Sequence, residues 1–165
     1  MIVKLVSGGQ AGVDRAALDV ALEQGLVTHG WMPAGFLAED GEHPEFEKKY
    51  GLRQMTTKGY PERTRRNVQI SDATLILVDS PEQVTGGTRL TANIAKELGK
   101  RHVIVFMECE GSASFTAGWL HCCGNAVVNF AGPRESRAPG IYQRTCVFLR
   151  KVFEELKHER QGSGS

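Results

Sequence analysis

What this chain lacks narrows the reading first. No apolar run approaches membrane-spanning length, and the N-terminus has no basic-then-apolar pattern of a secretory signal. Cysteine is sparse: the four residues Cys109, Cys122, Cys123 and Cys146 are too few for a dense disulfide framework. Reduced, buried thiols in a cytoplasmic protein are the expectation. An excess of charge of one sign is also missing, with 20 Lys and Arg against 19 Asp and Glu. That balance gives no bulk attraction to nucleic acid or an anionic membrane, so any anion site must be local. His121-Cys122-Cys123 suggests a metal, but adjacent cysteines poorly supply two ligands of one tetrahedral ion, and no second cluster has zinc-ligand spacing. No metal is expected.

What is present centres on Ser7-Gly8-Gly9-Gln10-Ala11-Gly12-Val13-Asp14-Arg15, between the apolar run Ile2-Val3-Lys4-Leu5-Val6 and a helical pattern through Ala16, Ala17, Val20 and Ala21. A buried strand entering a helix through a turn with glycines lets backbone approach a phosphate. Gly8, Gly9 and Gly12 would expose N–H groups, and the helix beginning near Val13 would add the positive end of its dipole. The plainer alternative is a tight turn whose glycines only allow close packing. The spacing is neither the dinucleotide fingerprint nor the P-loop, and no Gly-Lys-Ser/Thr follows, which excludes a Mg-nucleoside-triphosphate motor.

The length of 165 residues fits one domain. The first helix is expected over 13–24 and a short strand over 27–31. From 36 to 60 the periodicity dissolves, which points to a site cover or an oligomer contact. Pro61 opens a helix to Ile70 in which Arg63, Arg65 and Arg66 form either a solvated face or a clamp on the anion. Ala73-Thr74-Leu75-Ile76-Leu77-Val78 reads as a strand buried on both faces. Thr85-Gly86-Gly87-Thr88 then opens a helix over 90–98, and His102-Val103-Ile104-Val105-Phe106 follows as another strand. A short helix within 111–123 and a strand over 126–130 lead to Arg134. A final amphipathic helix over 140–157 presents Ile141, Val147, Phe148, Val152, Phe153 and Leu156. This alternation predicts an α/β fold: one Rossmann-like, doubly wound, mostly parallel sheet of at least five strands with helices on both faces. The domain is assigned to 1–158, with 159–165, ending Gly162-Ser163-Gly164-Ser165, set aside as a linker-like tail. In such sheets ligands sit beyond the carboxyl ends of the strands, where both glycine turns and Arg134 would meet.

Several ordered motifs carry a resemblance. Besides the first turn they are Ala38-Glu39-Asp40-Gly41, Arg63-Thr64-Arg65-Arg66-Asn67-Val68, Ser71-Asp72-Ala73-Thr74-Leu75-Ile76, Gly86-Gly87-Thr88, Asn129-Phe130-Ala131-Gly132-Pro133-Arg134 and Pro139-Gly140-Ile141-Tyr142. With these, the chain resembles the molybdenum cofactor carrier protein family, within a Rossmann-like superfamily that includes the cytokinin-activating phosphoribohydrolases. The resemblance implies a cytoplasmic homo-oligomer, dimer or tetramer, that stores or delivers the molybdenum cofactor (molybdopterin), with molybdoenzymes as recipients. It implies a cofactor site of Ser7, Gly8, Gly9, Gln10, Gly12, Val13, Arg15, Arg63, Thr64, Asn67, Gly86, Gly87, Thr88 and Arg134, no catalytic residue, and no nucleic-acid or membrane partner. The chain departs from the family at Pro33-Ala34-Gly35-Phe36, where Pro-Lys-Gly-Arg is common, leaving open a less charged phosphorylated ligand.

Two further readings stand beside the carrier. The superfamily's phosphoribohydrolases place a catalytic glutamate three residues after Gly-Gly-x-Gly-Thr. Here Gly86-Gly87-Thr88 is followed at that place by Thr91, and no acid lies nearby until Glu97, so ribosyl transfer would lack its carboxylate. A nucleotide-sensing module without catalysis is the third reading.

Overall fold

In a computed structural model describing residues 2–162, eight strands and six α-helices follow one another in chain order. They are β1 (Lys4–Val6), α1 (Val13–Glu23), β2 (Val27–Met32), β3 (Leu37–Ala38), β4 (Gly41–Glu42), α2 (Phe46–Tyr50), β5 (Leu52–Gln54) and α3 (Tyr60–Gln69). Then come β6 (Ala73–Val78), a 3-10 turn over Pro81–Gln83, α4 (Gly86–Glu97), β7 (Arg101–Phe106), α5 (Ser112–Cys122), β8 (Val127–Ala131) and α6 (Ile141–Gly162). Six strands form one parallel sheet in the order β5-β2-β1-β8-β6-β7. The expected α/β architecture is what the chain adopts.

Connection handedness distributes the helices. The chain moves outward from β1 to β2 and β5, crosses back to β6 and β7, and reverses again to insert β8. Right-handed crossovers therefore put α1 and α5 on one face and α3 and α4 on the other. α6 packs against α1 and α5, while α3 and α4 share a small apolar cluster of Val68, Ile94 and Ala95. All six positions of β6 are buried, as its unbroken apolar run requires for a strand covered on both faces. On α1, Ala16, Ala17 and Ala21 are fully buried, and their small side chains let the helix lie close to the sheet.

Two expectations, those for Val147 and for the thiols, need correction, and the segment 36–60 gains definition. The segment 36–60 is ordered: the β3–β4 hairpin, α2 and β5 lie in it, and β5 extends the sheet as a parallel edge strand beside β2. Its elements are two to five residues long, too short to impose a period on the sequence. On α6, Val147 faces solvent, whereas Leu149 is fully buried. Cys122 and Cys109 are exposed and only Cys146 is buried, so the thiols are not core groups as a set. α6 runs to Gly162, past the boundary drawn at 158, while Ser163, Gly164 and Ser165 lie outside the described residues. Among the described residues no helix is long and apolar enough to cross a membrane.

Candidate functional site

The connections leave β8 and β6 for opposite sides of the sheet, to α6 on the α1 face and to α4 on the other, and a crevice opens beyond the carboxyl ends of β1, β8 and β6. It is a cavity of about 230 Å³, walled by the first glycine turn, the start of α3, the start of α4 and the loop after β8. Of the expected residues, Gly8, Gln10, Arg63, Thr64, Asn67, Gly86, Gly87, Thr88 and Arg134 line it. Ser7, Gly9, Gly12, Val13 and Arg15 do not.

Those five belong to the framework of the turn. The Ser7 hydroxyl donates to the Asp14 carbonyl at 3.2 Å. Gly9, at φ 68°, faces the core: a Cβ there would meet Met32 Sδ at 2.8 Å and Leu52 Cδ1 at 2.9 Å. Gly12, at φ 109°, lies against the backbone of Pro133, Arg134 and Glu135, and the Val13 N–H donates to the Pro133 carbonyl at 3.3 Å. Arg15 turns away from the cavity, pairs with both oxygens of Asp40 and donates to the Gly9 carbonyl. The first turn of α1 carries the Asp14 carboxylate, whose charge opposes an anion there.

Asp14 is the sidedness of the crevice in one residue. It is 5% exposed and accepts from Arg63 Nη1 at 3.2 Å. Burial pushes its carboxyl above the ordinary value, with the Arg63 charge opposing, and burial equally pulls the Arg63 guanidinium down. Gly8 makes this pair possible, since a Cβ there would overlap Arg63 Nη1 at 1.6 Å. Such a buried pair is held at a desolvation cost, which is characteristic of a site more than of a stabilising strut.

Among the described residues four buried side-chain atoms lack a partner: Gln10 Nε2 and Arg63 Nε, on residues that line the cavity, and Arg15 Nε and Gln24 Oε1, on residues that do not. Leaving a buried donor unmade costs about 1–3 kcal/mol. Other lining groups are committed elsewhere. Asn67 uses its amide on both sides of the Trp31 peptide, accepting at 2.8 Å and donating at 3.0 Å. Thr64 donates back to the Tyr60 carbonyl at 3.0 Å. Of the remaining basic residues on that helix, Arg65 pairs with Glu97 and Arg66 lies over the Trp31 ring.

The start of α4 is the open end. Thr85 is extended and supplies no side-chain cap, and Gly86 turns at φ 49° into the helix. The glycines thus form the first helical turn instead of preceding it. A Cβ on Gly86 or Gly87 would meet nothing within 4 Å, so these backbone groups face free space in the cavity. Opposite them stand Arg134 and Arg137, neither in an ion pair among the described residues. The Tyr60 ring lies beneath two guanidiniums, Arg63 at 5.6 Å and Arg134 at 5.0 Å. Three arginines against the single carboxylate of Asp14 make the lining net positive in a chain of net charge +1.

Sequence reasoning did not single out Asp14, Tyr60, Thr85, Thr91, Asn129 or Arg137 as site residues, yet all line the cavity. Asp14 sits inside the glycine motif, and a carboxylate in the first turn of the proposed anion helix was the available signal. Arg137 lies three residues beyond Arg134 in the same exit loop. Ala34 and Phe36, the positions lacking the family's charges, do not line the cavity, and Phe36 is buried in the core.

Comparison with known proteins gives two matches. A family described as the circularly permutated YpsA SLOG family matches residues 5–153. The crystal structure of a "putative molybdenum carrier protein" from Syntrophus aciditrophicus SB is 37% identical, with a TM-score of 0.82 and 94% of each chain covered. No curated protein is significantly similar to the chain.

Proposed function

Because the chain belongs to the circularly permutated YpsA SLOG family, we propose that it binds a phosphorylated small molecule in this crevice, with the phosphate on the first turn of α4. The observation that carries the reading is the uncapped first turn of α4, open at Gly86 and Gly87, in a lining where Arg63, Arg134 and Arg137 outnumber the single carboxylate of Asp14. The amides of Gly86 and Gly87 supply the anion end, the Thr88 N–H being already donated to the Thr85 carbonyl, and Arg134 and Arg137 close over it. Binding without turnover is favoured because, among the described residues that line the cavity, the one carboxylate is that of Asp14. Asp14 is held by Arg63, Thr91 donates to the Gly87 carbonyl at 2.9 Å, and Glu97 pairs with Arg65. The similarity to a protein named as a molybdenum carrier supports the molybdenum cofactor as the ligand and storage or delivery to molybdoenzymes as the role. A homo-oligomer in the cytoplasm completes this proposal.

Gly87→Asp tests the anion end. The site has room for the side chain, and an acid in the first helical turn contributes about 0.3–1 kcal/mol of stability. The same charge repels a phosphate. Calorimetric titration with inorganic phosphate is expected to show at least tenfold weaker binding while Tm holds or rises. Undiminished phosphate binding by a folded Gly87→Asp protein would overturn the assignment.

A further inference from the structure

The sheet has two edges, and they are built differently. β5, the edge beside β2, is three residues long, with Arg53 and Gln54 exposed. A short, charged strand is a poor template for a further strand. β7, the edge beside β6, is six residues long, and after Arg101 and His102 it reads Val103-Ile104-Val105-Phe106. Its register with β6 is unbroken, so neither bulge, proline nor charge guards those four residues.

Alternation decides which backbone groups are free. The Met107 N–H donates to the Val78 carbonyl at 2.8 Å, in a parallel register that pairs Phe106 with Val78. Arg101, Val103 and Val105 therefore turn their peptide groups towards β6, and His102, Ile104 and Phe106 turn theirs outward. The Phe106 carbonyl is taken by the Cys109 N–H at 3.1 Å and the Ser112 hydroxyl at 2.6 Å. No described residue takes the N–H groups of His102, Ile104 and Phe106, or the carbonyls of His102 and Ile104. Beside this row lies a groove of about 240 Å³ whose walls include Ile104, Val105, Phe106 and Phe115. Phe115 is 56% exposed, and Val103, Ile104 and Phe106 are half-buried, whereas every residue of β6 is buried.

We propose that two copies of this chain join through β7, by antiparallel pairing of the two strands about a twofold axis at Ile104. The inference rests on the homo-oligomer of the proposed function and names its contact surface. The strand is complementary to itself. A twofold at Ile104 sets His102 opposite Phe106 and Ile104 opposite its own copy, so each outward-facing residue meets another. The flanking charges are complementary as well. Lys100 precedes the strand and Glu108 follows it, and neither is in an ion pair among the described residues. The same axis brings Lys100 of each copy opposite Glu108 of the partner subunit, whereas a parallel pairing in register would set like charges together. Because this axis is normal to the sheet, both α5 helices fall on one face and Phe115 of each lies beside the junction. The two sheets become one, and the short, charged β5 forms both of its outer ends.

The test combines mass by light scattering with residue-level amide hydrogen exchange on the full chain. The wild-type chain is expected to form a dimer, or a multiple of two, with the Ile104 amide protected. Phe115→Glu puts a charge on an exposed helical position. It is expected to give a folded monomer in which the Ile104 amide exchanges at least tenfold faster. Ile104→Pro removes an outward N–H while leaving the ladder to β6 whole, and is expected to give a monomer too. Circular dichroism checks the fold of each, and Phe115→Glu carries the test if Ile104→Pro does not fold. A wild-type oligomer with an unprotected Ile104 amide overturns the β7 junction and leaves the homo-oligomer standing. An oligomer whose mass survives Phe115→Glu in folded protein does the same. A wild-type monomer removes both readings. A protected Ile104 amide in a complex holding one copy of the chain overturns the second copy in favour of a foreign strand.

Discussion

At the scale of the residue, the decisive contacts are those in which one side chain fixes the state of another. Asp40 shows this outside the cavity. The Arg15 guanidinium, with His43 on its other side, holds its carboxyl well below the usual carboxylate range. A depressed carboxylate contributes stability that is fully present above its unfolded value near 4 and is lost as pH falls towards its folded value. The Tm difference between wild type and Asp40→Asn is therefore expected to be positive at pH 5 and to shrink between pH 4 and pH 2. A difference that stays constant to pH 2.5 would show that the pair does not couple to folding. Because Asp40 is 42% exposed, the effect is expected to be modest. This scale was the least legible in the sequence. The motif containing Gly8, Gly9 and Gly12 was evident, but not which glycine lined the cavity. Gly8 opens space beside the cavity, Gly9 meets Met32 and Leu52 in the core, and Gly12 meets the loop after β8. Every partner in that division is distant in sequence, so no local pattern records it.

Elements were more legible where they were long. The buried strand Ala73–Val78 has the bounds its apolar run dictated, and α1 differs from expectation by one residue at its end. Short elements were missed, since the strand Leu52–Gln54 is three residues and belongs to the sheet only through pairing with β2. On α6 the stripe was found but its phase was misjudged at one position, because a β-branched residue on a long helix looks the same in sequence whether it faces in or out. Val147 is 64% exposed and Leu149 fully buried. Val147→Lys is accordingly expected to change stability by no more than about 0.5 kcal/mol. Leu149→Ala removes a packed side chain facing the α1 and α5 layer and is expected to cost about 2–5 kcal/mol. Urea denaturation of the two variants gives the comparison, and equal losses would put the helix in the other phase.

For the whole molecule, chain order and sheet order disagree, and that mismatch sets how the crevice is assembled. β8 is the last strand in the chain yet lies between β1 and β6 in the sheet. Until it inserts, β1–β2–β5 and β6–β7 share no strand pairing, and the cavity has no wall linking Gly8 to Gly86. Its register ties the halves together: Leu5 pairs with Val128 on one side and Leu75 with Phe130 on the other. α6 then closes the face over α1 and α5. Neither half is expected to be stable alone, since each would expose a strand that is buried on both faces in the complete sheet. The two tryptophans report on different parts of this assembly. Trp31 lies in β2 beside α3, and Trp119 lies in α5, packed against the main core. Trp31→Phe and Trp119→Phe each leave one reporter. In each variant the remaining tryptophan's fluorescence is expected to give the same urea midpoint as the far-ultraviolet circular dichroism of that variant. A β2 signal that departs before the helical signal, in the variant retaining Trp31, would mean that the outer half melts independently. The crevice would then be a junction between two cooperative units, and ligand binding would raise the midpoint of their union more than that of either one.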